Sequence, residues 1–229
     1  MTDRDGPGGG AVPDGDVPPV RAQLLATEHW GLLAARSTAQ SEVLSRLSIL
    51  LTFMSASLVS LALVGNATQF SSAFPVFAVT VLSLVAVVGL LTQIRVINIG
   101  MEDLMYVLAM NRMRAAYVDI DPGVAPYLLA GRHDDMAGVG RTYYFLGRRS
   151  DFSQLAGSTM TFIIVINGAL LGLLTAAIAL TAEGPLALAI VLGVVVGLAH
   201  VGASMYRGFR VFSSAWRDYE PLSPTPPAD

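Results

Sequence analysis

The sequence predicts an all-α integral membrane protein, a four-transmembrane-helix bundle made of two hairpins. Three observations carry that reading. Hydrophobic residues make up 53% of the 229-residue chain and charged residues 14%, with a mean hydropathy of +0.59; an ordinary soluble domain is about 25% charged. The apolar residues are also clustered. No charged side chain occurs between Arg46 and Arg95, between Asp151 and Glu183, or between Glu183 and Arg207, and uncharged apolar runs of roughly 18 residues or more are long enough to cross a bilayer as helices. Finally, all fourteen basic residues are arginines, and every one lies outside those runs.

The same composition narrows function. So few charges exclude an ordinary soluble enzyme, a disordered protein and a basic nucleic-acid binder. With no cysteine there is no disulfide framework, thiol nucleophile or thiolate metal site. With no lysine there is no Schiff-base or Walker-type phosphate-binding lysine. A net charge of −3 selects no partner by itself.

The elements follow in order. Residues 1–20 are rich in Gly, Pro and Asp, with little to bury, and are expected to be a disordered tail; no apolar h-region follows the start, so they do not read as a signal peptide. Residues 21–46 form an amphipathic helix on which Leu25, Leu32, Ala35, Ala39 and Val43 recur at helical steps. It is expected to be a stalk running into the first span, with Trp30 as an interface anchor. Residues 47–94 are the first transmembrane hairpin, with spans at about 47–64 and 74–94. Residues 95–156 are a cytoplasmic segment. Its first part, 98–117, has helical spacing and extends the second span; Asp121-Pro122-Gly123 breaks it. Residues 124–130 read as one short turn, and 138–147 as a loop. Residues 157–206 are the second hairpin, with spans at about 157–181 and 185–205 joined by Ala182-Glu183-Gly184. Pro75 and Pro185 each sit at a helix start, where a missing N–H costs nothing. Residues 207–229 are a cytoplasmic tail whose end, PLSPTPPAD, is expected to be as unstructured as the N-terminus.

Topology follows from the arginines. They occupy the N-terminal, central and C-terminal segments and are absent from both hairpin loops. The positive-inside rule then places both termini and residues 95–156 in the cytoplasm and the protein in the cell (plasma) membrane.

Few residues nominate chemistry. No Asp, Glu or Arg lies at mid-span, which argues against an ion-coupled carrier. Asn167 is expected to hydrogen-bond between helices, and His200 to be a packing residue near the inner face. Gly168-x-x-x-Gly172 and Gly193-x-x-x-Gly197 are small-x-x-x-small patterns that suit packing within the second hairpin or an interface between copies. Arg95, Arg148, Arg149, Tyr206, Arg207, Arg210 and Trp216 read as interface anchors. His133-Asp134-Asp135 has metal-compatible side chains, but three or four converging ligands are needed, and neither His29 nor His200 has ligand-like spacing to the triplet. No metal or cofactor is expected, and no hydrolase, dinucleotide, zincin or paired-carboxylate motif occurs.

The stretches LLATEHWGLLAARS (24–37), MNRMRAAYVDIDPGVAPY (110–127) and HDDMAGVGRTYYF (133–145) resemble an actinobacterial family of four-span integral membrane proteins without assigned function. The resemblance spans most of the chain except its tails and implies no activity. The helix-then-hairpin layout is also similar to small two-span domains proposed as membrane-perturbing effectors in bacterial defence. The expected function is non-enzymatic, exercised through assembly or a cytoplasmic protein partner. An oligomeric pore is the alternative, and an enzyme using the His133 region a weaker one. The expected partners are the lipid bilayer, further copies of the chain and a cytoplasmic protein, and not nucleic acid.

Overall fold

In the chain's computed structural model, residues 17–71, 73–147 and 150–227 are described. Among them every regular element is a helix: α1 (Val17–Ala67), α2 (Ala73–Ile120), a 3₁₀ turn (Pro122–Tyr127), α3 (Met136–Tyr143), α4 (Asp151–Ala156), α5 (Thr159–Thr181) and α6 (Leu186–Arg217). Four of these, α1, α2, α5 and α6, are long and apolar enough to cross a membrane.

Proline placement sets the boundaries. Pro18, Pro19 and Pro75 fall in first turns, and Pro185 is the N-cap of α6. These are positions where the backbone N–H has no partner within the helix to lose. From Val20 to Ala67 there is no proline at all. The stalk and the first span are therefore one unbroken 51-residue helix, which begins at Val17, inside the segment expected to be disordered. The second apolar run likewise continues without a break into the polar segment that follows it, giving a 48-residue α2. It stops where Asp121 turns away from helical geometry and accepts a hydrogen bond from the Gly123 N–H at 2.8 Å.

Close packing pairs α1 with α2, α2 with α5, and α5 with α6, so the helices lie in series. Leu50, Val96, Ile99 and Ile163 join the first three; Leu82, Val85, Ala86 and Leu170 continue the α2–α5 seam. The α5–α6 pair is held by glycine. A Cβ on Gly168, Gly172, Gly193 or Gly197 would stand 2.7–3.0 Å from the carbonyl oxygen of the glycine opposite. Close backbone approach of this kind lets dispersion and weak C–H···O contacts hold helices together in lipid, where burial of apolar surface gives no driving force.

Two expectations for the polar segments change. Residues 138–147 are not a loop throughout, because α3 covers Met136–Tyr143. Its two glycines hide the helix from a propensity reading, yet Gly138 is required there: a Cβ would collide with the His133 carbonyl. Asp135 caps the helix by accepting from the Gly138 N–H at 2.7 Å. The C-terminal tail is not free either. Residues 219–225 are bonded to Asp134 and Asp135, as set out below.

Replacing Gly193 with valine should weaken the second hairpin by about 1–3 kcal/mol, the usual range for overpacking. Gly202, which has open space around its Cβ position, should accept alanine without loss. Unfolding of both variants in detergent by circular dichroism measures the contrast.

Candidate functional site

The arginine-bearing parts of the chain are folded into one head beyond the apolar helices. Two ion-pair groups fix α1 against α2. Glu42 accepts from Arg95 at 2.8 and 3.1 Å and from Arg46 at 2.9 Å, and Arg95 also reaches Glu102 at 2.8 Å. Further from the spans, Asp103 accepts from Arg36 at 2.6 and 3.2 Å, from Gln40 at 3.1 Å and from the Tyr143 hydroxyl at 2.5 Å. The last bond ties α3 to the same post. The contacts with Arg95 and Arg46 hold the Glu42 carboxyl down at about 2. Burial alone would raise Asp103, but its hydrogen bonds from Arg36, Tyr143 and Gln40 bring it below the usual carboxylate range.

The centre of the head is Asp134, whose side chain is fully buried. It accepts from Arg112 Nε at 2.5 Å, from the Tyr219 hydroxyl at 2.8 Å, and from the backbone N–H groups of Leu222 and Ser223 at 2.9 and 2.7 Å. Its own N–H donates to the Ser223 carbonyl at 3.2 Å. Beside it, Asp135 accepts from the N–H and hydroxyl of Thr225 at 2.6 and 2.8 Å. The tail is thus clamped by two adjacent carboxylates on the turn before α3. Burial works to raise Asp134, but these donors overcome it and hold the carboxyl down at about 2. Tyr219 is pushed up from its ordinary value by burial and by donating to Asp134.

Asn111, also fully buried, braces the same turn from α2. Its amide donates to the His133 carbonyl at 2.8 Å, and its oxygen accepts from Arg114 and Thr142, each at 2.7 Å. Neither Asn111 nor Tyr219 was singled out from sequence. Their roles depend on partners 22 and 85 residues away, which periodicity does not reveal. Asp134 and Asp135 have metal-compatible side chains, and their oxygens are directed to Arg112, the tail and the α3 cap. His133 Nδ1 is buried and has no hydrogen-bond partner. No group of three or more His, Cys, Asp or Glu side chains able to hold a metal ion occurs among the described residues.

A smaller polar cluster joins three helices inside the apolar region. Asn167 donates to the Gly89 carbonyl at 2.9 Å and to Gln93 Oε1 at 2.8 Å. Gln93 donates to Ser204 Oγ at 3.0 Å, and His200 Nε2 lies 3.1 Å from Gln93 Oε1. Gln93 is the residue at its centre, missed because it stands at the end of its span beside Arg95.

The expected interface anchors fall at different levels. Trp30 lies 17 residues before Leu47 on unbroken α1, about 26 Å along the axis, and is 71% exposed. Arg95 is committed to Glu42 and Glu102. Trp216 packs into the head beside Leu104 and Val107 and meets Phe212 and Tyr219 edge-on. Arg210 sits over the Tyr206 ring at 6.0 Å, and Arg207 makes no ion pair among the described residues. Arg148 and Arg149 lie outside the described residues.

Comparison with protein-family models, curated proteins and solved structures finds no match.

Asp134 titrates lower in the folded chain than its unfolded value of ~3.9. Its contribution to tail docking is therefore complete near neutrality and is lost as pH falls from ~4 through about 2. Asp134→Ala should release the tail at neutral pH, so that trypsin cuts after Arg217 several-fold faster while cleavage elsewhere in the head keeps its rate.

Proposed function

We propose that this chain is a non-enzymatic integral protein of the cell membrane whose cytoplasmic head is a docking platform for another protein. The membrane assignment is supported by the four long apolar helices. The orientation is supported by the gathering of all the described arginines at one end of these helices, while the hairpin tips at 66–71 and 182–184 have none.

One observation carries the docking role. Large apolar side chains are exposed on a head that is otherwise braced by ion pairs: Leu24 at 67%, Trp30 at 71%, Tyr127 at 83% and Leu129 at 64%. These residues lie beyond the spans, where lipid does not cover them. Exposed apolar side chains rimmed by polar groups are a feature of protein-binding surfaces, and an exposed tryptophan on a rigid helix is a favoured anchor. The ion pairs keep that surface preformed, which lowers the ordering cost of binding.

An oligomeric pore has less support. The four glycines of α5 and α6 face one another within one hairpin.

A photo-crosslinking amino acid at position 30 should capture a discrete protein adduct in cells. Trp30→Ala should abolish recovery of that protein yet leave thermal stability within about 0.5 kcal/mol of the parent, as for surface substitutions. Adducts only with lipid, or none from positions 30 and 127, would contradict the docking role.

A further inference from the structure

Between α2, α3 and the end of α6 lies a cavity of about 880 Å³, within the size range of small-molecule sites. Leu104, Val139, Phe212 and Trp216 are among its lining residues, and Arg141 is the one cationic residue among the described residues that line it. Arg141 makes no ion pair among the described residues, unlike Arg36, Arg95 and Arg112. A mostly apolar chamber whose described lining carries a guanidinium without an ion pair suits an amphiphile with an anionic head.

Its position says which amphiphile. The Met160 methyl, in the first turn of α5, fills the space beside Gly208 on α6. Phe212 is one turn further on, so the cavity begins just beyond the level where α5 emerges from the apolar layer. The chain between α3 and α5 presents Phe145, Leu146, Phe152 and Leu155 outward, with Leu146 94% and Phe152 81% exposed. Outward apolar side chains at that level suit partial immersion in the headgroup–acyl boundary. They would bring the cavity to the lipid rather than to bulk water.

We propose that an anionic phospholipid of the cytoplasmic leaflet occupies this cavity, its phosphate on Arg141 and its acyl chains against Leu104, Phe212 and Trp216. The proposal rests on the membrane orientation given above. Arginine supplies planar, charge-assisted hydrogen bonds to phosphate oxygens, and basic pockets at the inner face of helical membrane proteins recognise such headgroups.

The chain has two tryptophans, so Trp30→Phe leaves Trp216 as the only indole. This variant is reconstituted in vesicles of phosphatidylcholine with a minor fraction of phosphatidylglycerol, and either lipid is supplied with brominated acyl chains. Brominated phosphatidylglycerol should quench Trp216 fluorescence with about fivefold preference over brominated phosphatidylcholine at equal fraction, the factor that one arginine beside an anionic headgroup supplies. Arg141→Gln should abolish the preference. Gly140→Leu keeps Arg141 and places a side chain where a Cβ meets nothing within 4 Å; it should fill the cavity and reduce quenching by both lipids. Equal quenching by the two lipids, or a preference unchanged in both variants, would overturn the proposal. Flotation with the vesicles is read separately: a protein that stays in the aqueous fraction contradicts the membrane reading itself.

Discussion

A hydrocarbon layer about 30 Å thick accepts neither an unpaired charge nor an unbonded peptide group. On the proposed membrane reading, that constraint shapes everything else in this chain. Between Arg46 and Arg95, and again between Asp151 and Arg207, the only charged residue is Glu183, in the tip of the second hairpin. The arginines and nearly all the acids are left to the three remaining segments. Once gathered at one end of the helices, these segments meet as opposite charges: Glu42 with Arg95, Asp103 with Arg36, Asp134 with Arg112. The head is the place where these charges pair.

Within the apolar layer the helices are held by shape and by a few amides. Facing glycines bring α5 and α6 into backbone contact, and Asn167 reaches the Gly89 carbonyl of α2. A Cβ at position 89 would collide with the Asn167 side chain, so the hydrogen bond and the small residue depend on each other. The same economy explains why α1, which lacks such devices, leans on the ion pairs of the head as well as on Leu47 and Leu50 to stay against α2.

What was legible in the sequence was what local physics decides. Uncharged runs gave the four long helices, Asp121-Pro122-Gly123 gave the end of α2, and the lack of proline after Val20 allowed a stalk continuous with the first span. What was not legible depends on distant partners. PLSPTPPAD has the composition of an unstructured tail and would be one without Asp134, whose oxygens meet Leu222 and Ser223 across 88 and 89 residues. α3 was obscured because Gly138 lowers helix propensity, while the reason for that glycine, the His133 carbonyl pressed against it, exists only in the folded chain.

The account stands on both hairpins crossing the bilayer the same way. Because the chain has no cysteine, single cysteines can be placed without altering a native thiol. Gln69→Cys and Ala182→Cys, one at each hairpin tip, should react with a membrane-impermeant maleimide in intact cells. Ser41→Cys on α1 and Ala22→Cys near its start should react only after the membrane is opened. Labelling of either tip that requires permeabilisation, or labelling of the head in intact cells, would contradict the arrangement.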